Sequence, residues 1–261
     1  FYKTVFEFVP YPEGSFSWHH LWFIAYLFLF SLIGLPFLLF LKTEKSAPFR
    51  SLATRILSDP AGMLLLPSGL LFVSQIVLRP YFPEETHALV NDWAFFTFYF
   101  LFFLFGILCY SQPAIWDRLE QNRRTFALAS LLVAIPFYAL YLHFGGIVTY
   151  PWEEETNELA FDIVAIFGSW FWVITVIAWG QHLLNRPHPW LRHFNEGLYP
   201  FYILHQTVII VVGFYICQLS WGIFIKFWTV ALLTLTTCML TYFFLIRPFN
   251  VTRLFFGMKR K

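Results

Sequence analysis

Apolar residues occur along the chain in long runs, and short polar connections separate these runs. A helix needs about 20 mostly apolar residues to cross the roughly 30 Å hydrocarbon core of a bilayer. Seven runs come close to this length or exceed it. The pattern therefore predicts seven membrane spans, over residues 20–41, 61–78, 92–110, 125–144, 159–184, 198–219 and 222–246.

The second run is the weakest of the seven. It is short, and Pro67, Ser68 and Gly69 interrupt it. Helix breakers of this kind are tolerated in a membrane where neighbouring helices satisfy the freed backbone groups. We keep this span because the distribution of charge requires it, since its removal would break the alternation of basic and non-basic connections.

Basic residues collect on alternate connections. By the positive-inside rule, the side of the membrane that carries them is cytoplasmic. Residues 1–19 are then expected outside and the C-terminus inside. Fourteen of the 17 Lys and Arg residues fall on the cytoplasmic side: Lys42, Lys45, Arg50, Arg55, Arg118, Arg123, Arg124, Arg186, Arg192, Arg247, Arg253, Lys259, Arg260 and Lys261. Lys3, Arg79 and Lys226 fall on the other side.

Composition agrees with an integral membrane protein. Of the 261 residues, 59% are hydrophobic and only 12% are charged, with a mean hydropathy of +0.63, whereas soluble domains carry about 25% charged residues. The runs lack the short alternation of a membrane β-barrel, so the expected fold class is all-α, a polytopic helix bundle. No connection is long enough to hold a separate soluble domain, and we expect one transmembrane domain over residues 1–261.

Known catalytic and nucleotide-binding signatures do not narrow the function. The chain contains no P-loop, GxGxxG, GxSxG or HExxH motif and no DNA-reading motif. Its three cysteines show no CxxC spacing and are interpreted as packing residues. We therefore expect neither a metal site nor a nucleic-acid partner.

Polar residues in the sixth span give the first candidate site. An ionisable group at membrane depth is costly and normally faces protein or a cavity. Tyr199, Tyr202, His205 and Gln206 lie on one stripe of a helix, with His205 about 10 Å from the predicted cytoplasmic end. Two interpretations remain open: these groups bridge helices by hydrogen bonds, or they line a channel for a ligand.

A second candidate site lies at the outer boundary of the first span, in the sequence SFSWHHLWFI. Trp18 and Trp22 suit the membrane interface. His19 and His20 point about 100° apart on a helix, which does not suit a shared metal ion. His20 can instead accept a proton near neutral pH, and it is a candidate catalytic base.

Three other groups have both a structural and a functional interpretation. His143 and Asp162 fall at the same membrane level as His20, where they would either pair or, for Asp162, cap or border its helix. Outer Glu residues at 153–155 and 158 suit a solvated loop or a cation site. Cytoplasmic arginines would suit phosphate groups of a nucleotide-like donor, although topology alone explains them: Arg118, Arg123 and Arg124.

Three stretches of the chain are informative together: HHLWFIAYLFLF (19–30), FFTFYFLFFLFGILCY (95–110) and NEGLYPFYILHQTVII (195–210). In these stretches the chain resembles the acyltransferase-3 family of bacterial inner-membrane acyltransferases, especially its glucan biosynthesis protein C-like branch. The resemblance implies a ten-helix bundle with both termini cytoplasmic. It also implies transfer of an acyl group, of acetyl or succinyl type, from cytoplasmic acyl-CoA to an extracytoplasmic glycan or similar hydroxyl. Acyl-CoA is then a donor substrate, and no bound cofactor is expected.

The resemblance also bears on the candidate residues. Family members carry an Arg followed by an essential His near their first helix, and no such pair occurs at that place here. Because the chain opens on Phe1 and its seven spans would start outside, we expect three spans and the principal catalytic His upstream, and an inactive fragment without them. Trp22, Tyr199, Tyr202, His205 and Gln206 are carried over as residues that shape the site or the acyl channel.

Two other classes of protein fit the same pattern of spans. A transporter or flippase for a lipid-linked or acidic substrate would also use buried polar residues. A seven-helix sensor would have its N-terminus outside. The transporter moves its substrate without consuming acyl-CoA, and the sensor has no upstream spans.

Overall fold

The computed structural model describes residues 19–89, 91–189 and 191–260, apart from the side chains of residues 19, 192 and 193. Lys3, Trp18 and Lys261, which enter the arguments from sequence, lie outside the described residues. Contacts divide the chain into two compact units. The central unit is Trp22–Asn185, and the terminal unit joins the described parts of Phe1–Leu21 and Arg186–Lys261.

The described residues of the central unit form seven α-helices and a short 3₁₀ turn (Glu44–Ser46). Five of its helices are long and apolar enough to cross a membrane, and two short helices lie in the connections between them. In chain order they are α1 (Trp22–Leu41), α2 (Ala47–Leu57), α3 (Pro60–Leu78), α4 (Trp93–Ser111), α5 (Pro113–Gln121), α6 (Arg123–Phe144) and α7 (Glu154–Leu184).

The terminal unit is built on a pair of long helices. A 3₁₀ turn (His19–Leu21) belongs to this unit, although α1 follows it directly in the chain. The long helices are α8 (Leu191–Cys217) and α9 (Ile223–Thr241), which pack together. A π-helical turn (Tyr242–Ile246) extends α9, and α10 (Asn250–Phe255) follows it.

All seven predicted spans are confirmed as helices of sufficient length and hydropathy. The described residues form helices and connecting turns, with no strands among them, as the all-α prediction requires. Two helices begin earlier than expected: α7 by five residues, at Glu154, and α8 by seven, at Leu191. Their first turns are polar, so hydropathy does not detect them.

The short helices α2 and α5 were not predicted. Each nevertheless has a proline in its first turn, Pro48 in α2 and Pro113 in α5, and a proline there is a sequence signal for the start of a helix. Each buries two residues at i and i+4, Ala53 and Leu57 in α2 and Ile115 and Leu119 in α5. They are too short and too polar to span a membrane, and they lie in the predicted cytoplasmic connections.

The helix breaker in α3 is satisfied by a neighbouring helix. Pro67 has no N–H, so the carbonyl of Met63, four residues earlier, lacks its normal helical donor. Trp170 of α7 donates its indole N–H to that carbonyl, with an Nε1–O distance of 2.7 Å. The ring is 3% exposed and packs against Phe102 and Phe105 of α4. A tryptophan on α7 therefore compensates for the proline that made this span look weak.

A second contact fixes the direction of α7 relative to α3. Arg79, directly after α3, forms an ion pair with Asp162 of α7 at 2.9 Å. From Asp162 to Trp170 the chain advances along α7, while the contacts on α3 move back from Arg79 to Met63. The two helices are therefore antiparallel, as the predicted alternation of spans requires.

We expect Trp170→Phe to destabilise the protein by about 1–3 kcal/mol, because the buried Met63 carbonyl loses its donor. Adding Pro67→Ala should recover most of this loss, since the new N–H at position 67 can bond the same carbonyl. Thermal unfolding in detergent measures both effects.

Trp172→Phe is the matched control for this pair of variants, because Trp172 lies on the same helix and is 42% exposed. It should leave stability nearly unchanged. Equal losses at positions 170 and 172, or no recovery in the double variant, would show that the hydrogen bond is not what stabilises α3.

Candidate functional site

The terminal unit brings together two histidines that are 185 positions apart in the chain. His20 lies in the 3₁₀ turn (His19–Leu21), and His205 lies near the middle of α8. Their ring centroids are 5.3 Å apart, and the rings meet edge to face. Tyr202, one turn before His205, contacts both rings. We call His20, Tyr202 and His205 the histidine cluster.

Hydrogen bonds assign the protons of the two imidazoles. The carbonyl oxygen of Tyr202 lies 3.1 Å from Nε2 of His20 and 2.7 Å from Nδ1 of His205. A carbonyl can only accept, so both of these nitrogens carry hydrogen. The hydroxyl of Tyr202 in turn donates to the backbone carbonyl of His20. Tyr202 therefore fixes the position of His20 and the orientation of both rings.

The remaining nitrogens are then the basic ones while the rings are neutral. Nδ1 of His20 is buried and has no hydrogen-bond partner among the described residues. Buried polar atoms are nearly always paired, so an orphaned one indicates a ligand, a water or a catalytic role. A lone pair held in a fixed ring is what a general base requires.

The surroundings of the histidine cluster are apolar on one side. Phe201 stacks on His205 with ring centroids 5.8 Å apart and an interplanar angle of 6°. Both histidines are half-buried. Because α8 begins at Leu191, His205 lies about 21 Å along the helix from its first residue.

The predicted stripe on α8 is divided in the structure. Tyr202 and His205 join His20, whereas Tyr199 packs its ring against Gly257. Gln206 is half-buried on the same helix, with no side-chain hydrogen bond to the other described residues. Only two members of the stripe therefore belong to the histidine cluster.

Trp22 lies in the central unit, in a separate aromatic group. Its ring lies 3.9 Å from that of His87 and 5.6 Å from that of Tyr99, measured between centroids. His87 and Tyr99 both hydrogen-bond to the carboxyl of Glu85. Local sequence does not indicate this group, since its members come from α1, α4 and the connection before α4.

Asp92 holds that connection in place. Its side chain is fully buried and accepts hydrogen bonds from the Tyr26 hydroxyl at 2.8 Å and from the His87 backbone N–H at 2.9 Å. His87 and Leu89 have positive φ values of 54° and 65°. Such backbone conformations are costly outside glycine and persist where surrounding contacts enforce them.

The other predicted residues of the outer level belong to the central unit and make their contacts within it. Asp162 pairs with Arg79, so a His143–Asp162 pair is not formed. His143 instead contacts Asn157 at 3.1 Å and the exposed Glu154 at 3.5 Å. The glutamates at 153–155 and 158 are exposed around the start of α7. Negative charge at this end of a helix interacts favourably with the helix dipole.

The three arginines predicted to contact phosphate lie on and around α5. Arg118 is exposed and bonds to Gln121. Arg123 donates to the Glu120 carbonyl and lies over the ring of Trp179, 5.5 Å from its centroid. Arg124 is exposed. Packing against Trp179 gives Arg123 a structural role as well.

The described residues include seven helices able to cross a membrane, which is typical of a multi-pass membrane protein. Two imidazoles fixed on one backbone carbonyl form its candidate acid–base site. A family model for an acyltransferase domain matches residues 2–244. The chain belongs to this family, the acyltransferase-3 family, and the match indicates a membrane acyltransferase. No curated protein and no solved structure gave a significant match.

Sequence reasoning identified His20, Tyr202 and His205 but not their contact, because nothing local in a sequence links positions 20 and 202. It missed Asp92, which borders the third apolar run and is the only acidic residue between Glu85 and Trp93. A carboxyl so close to an apolar run is a signal that could have been followed.

We expect Asp92→Ala to destabilise the central unit by about 3 kcal/mol, because two buried donors lose their acceptor. The segment around His87 and Leu89 should also relax and become more sensitive to protease. Unfolding in detergent and limited proteolysis measure these effects. Glu84→Ala, which removes an exposed carboxyl from the same connection, is the control. Unchanged cleavage in Asp92→Ala would contradict the proposed role of this carboxyl.

Proposed function

We propose that the protein is an O-acyltransferase of the bacterial inner membrane. It moves an acetyl- or succinyl-type group from cytoplasmic acyl-CoA to a hydroxyl of an extracytoplasmic glycan or similar acceptor. Family membership supports the reaction class. The observation that carries the proposal is the buried Nδ1 of His20, which has no partner in the described part of the chain and whose ring is held by Tyr202 beside His205.

The reaction needs a base and a route for the leaving group. An acceptor hydroxyl attacks the thioester carbonyl and gives its proton to the base, a new C–O bond forms, and the C–S bond breaks. The CoA thiolate then takes up the proton. In this proposal His20 receives the proton at Nδ1, and Tyr202 and His205 are positioning residues, since they fix the ring of His20.

The orientation is inferred from charge. The basic connections place the start of α8 and the C-terminus in the cytoplasm. CoA carries phosphate charges that cannot enter lipid cheaply, whereas an acyl chain can enter a protein-lined route. The donor would then approach from the start of α8, and the acceptor from the other side.

We expect His20→Ala to lower acyl transfer by about 100-fold or more, the usual contribution of a general base. His205→Ala should lower transfer by about tenfold through misplacement of His20, with little effect on folding. Labelled acyl-CoA, supplied to membranes that express the full-length gene, measures transfer, and analysis of the periplasmic glycans identifies the product.

His188→Ala, which changes an exposed histidine in the same unit, is the matched control and should transfer at the normal rate. Normal transfer by both His20→Ala and His205→Ala would exclude the histidine cluster from the reaction. Movement of a substrate across the membrane without consumption of acyl-CoA would favour a transporter.

Native Cys217 provides a test of the orientation. Of the three cysteines it is the exposed one, at the end of α8, whereas Cys109 and Cys238 are buried. A membrane-impermeant maleimide should label Cys217 from the periplasmic side. Cys217→Ser/Lys259→Cys should be labelled only after the membrane is permeabilised. The opposite pattern would reverse the proposed orientation.

A further inference from the structure

A basic pocket lies in the terminal unit, at the opposite end of α8 from Cys217. The first turns of α8, the residue after the π-helical turn, α10 and the chain after α10 enclose a cavity of about 580 Å³. Four cationic side chains line it, and one carboxylate faces them: Arg247, Arg253, Lys259, Arg260 and Glu196. We call this cavity the basic pocket.

Arg253 has a structural role in the basic pocket. Its side chain is only 7% exposed and forms an ion pair with Glu196 at 3.0 Å. Its Nε donates to the carbonyl of Lys259 at 2.7 Å, and its Nη1 lies 3.3 Å from the carbonyl of Arg247. Arg253 therefore ties the chain after α10 to the start of α8, and its charge is largely matched by Glu196.

The other three cations are available to a ligand. Nε of Arg247 lies 4.0 Å from the carboxylate of Glu196, which is the longest distance for an ion pair. That carboxylate already forms a closer ion pair with Arg253. Lys259 and Arg260 are exposed, and neither has a carboxylate partner in the part of the chain that the structure describes. One carboxylate thus faces four cations, and the excess charge attracts an anion.

Gly257 brings the last two cations to the pocket. Its φ is +63°, a conformation that favours glycine, and a Cβ added there would lie 2.8 Å from the ring of Tyr199. The chain therefore turns tightly over Tyr199 and returns along the cavity with Lys259 and Arg260. This contact also explains why Tyr199 does not join the histidine cluster.

We propose that the basic pocket binds phosphate groups, and that its occupant is the nucleotide portion of the CoA donor. Arginine forks match phosphate oxygens in geometry and charge, and the cavity falls within the usual range of ligand sites, about 300–1,000 Å³. The inference rests on the proposed function, since that function supplies the CoA donor.

The position of the pocket on α8 suits such a donor. Glu196 and Tyr199 lie at the pocket, and Tyr202 and His205 lie at the histidine cluster further along the same helix. His205 comes six positions after Tyr199, which corresponds to about 9 Å along the helix axis. The pantetheine arm of CoA separates its phosphates from its thioester, so a phosphate site must lie at a distance from the reacting atoms.

Anionic phospholipids carry the same phosphate chemistry and could also fill a basic pocket at a membrane surface. The experiment therefore uses two probes. The full-length protein is placed in nanodiscs of phosphatidylcholine, and CoA binding is measured by calorimetry. In a second set of nanodiscs that also contain phosphatidylglycerol, the enrichment of this lipid around the protein is measured.

We expect Lys259→Ala/Arg260→Ala to raise the Kd for CoA at least tenfold, with the same fold and detergent stability, because both side chains are exposed. Lys259→Arg/Arg260→Lys should keep the affinity within about threefold, since the charge is retained. Lys45→Ala/Arg55→Ala removes one exposed lysine and one exposed arginine from another basic connection and is the matched control. It should bind CoA normally.

The outcomes distinguish CoA from lipid as the occupant of the basic pocket. They also distinguish the basic pocket from the arginines on and after α5 as the site that binds CoA. Loss of phosphatidylglycerol enrichment with unchanged CoA affinity overturns the assignment to CoA and identifies the pocket as a lipid phosphate site. Unchanged CoA affinity and lipid enrichment in Lys259→Ala/Arg260→Ala overturn the proposal. Loss of CoA affinity in Arg118→Ala/Arg124→Ala, but not in Lys259→Ala/Arg260→Ala, also overturns it and favours the arginines on and after α5.

The same samples separate this inference from the proposed function. If the wild-type protein consumes acyl-CoA while Lys259→Ala/Arg260→Ala binds CoA normally, the pocket assignment is wrong and the acyltransferase proposal stands. If the wild-type protein neither binds CoA nor consumes acyl-CoA, the proposed function itself fails.

Discussion

Polar groups within apolar surroundings must find partners in the protein, and this constraint shapes both units. Lipid offers no hydrogen bonds to a free carbonyl or hydroxyl. Trp170 therefore supplies the donor that Pro67 cannot, and the hydroxyls of Ser130 and Thr175 bond each other at 2.8 Å where α6 meets α7. Each such pair fixes which faces of two helices meet, which apolar packing alone specifies weakly because lipid tails are equally apolar.

The histidine cluster meets the same constraint only in part, because one of its buried polar atoms has no partner among the described residues. One backbone carbonyl accepts from two imidazoles, so each ring has one nitrogen satisfied and one left over. The satisfied nitrogens fix the rings. The nitrogen left over on His20 is buried and has no partner within residues 19–260 as the structure describes them, and its lone pair is not engaged by another described group. Structural and chemical roles are therefore divided between the two nitrogens of a single side chain.

The number and approximate bounds of the spans were predictable because they depend on local sequence, namely the length of an apolar run. The early starts of α7 and α8 were not, since their first turns are polar and become helical without being apolar. The site was predictable as a set of residues but not as a geometry. Trp170 and Met63 are 107 positions apart, and His20 and Tyr202 are 182. Contacts at such separations depend on how helices pack, which one sequence does not reveal.

Helix α8 carries its charged and its neutral polar groups in different turns. Its first turns carry Glu196, which balances Arg253 and leaves a net positive cavity. Beyond Tyr199 its polar groups are imidazole, phenol and amide, which can be neutral at membrane depth. A guanidinium near His205 would bring a charge into the apolar part of the helix at high cost. The physical cost of burying charge therefore favours the observed order along α8, with the basic pocket at its first turns and neutral polar groups further along.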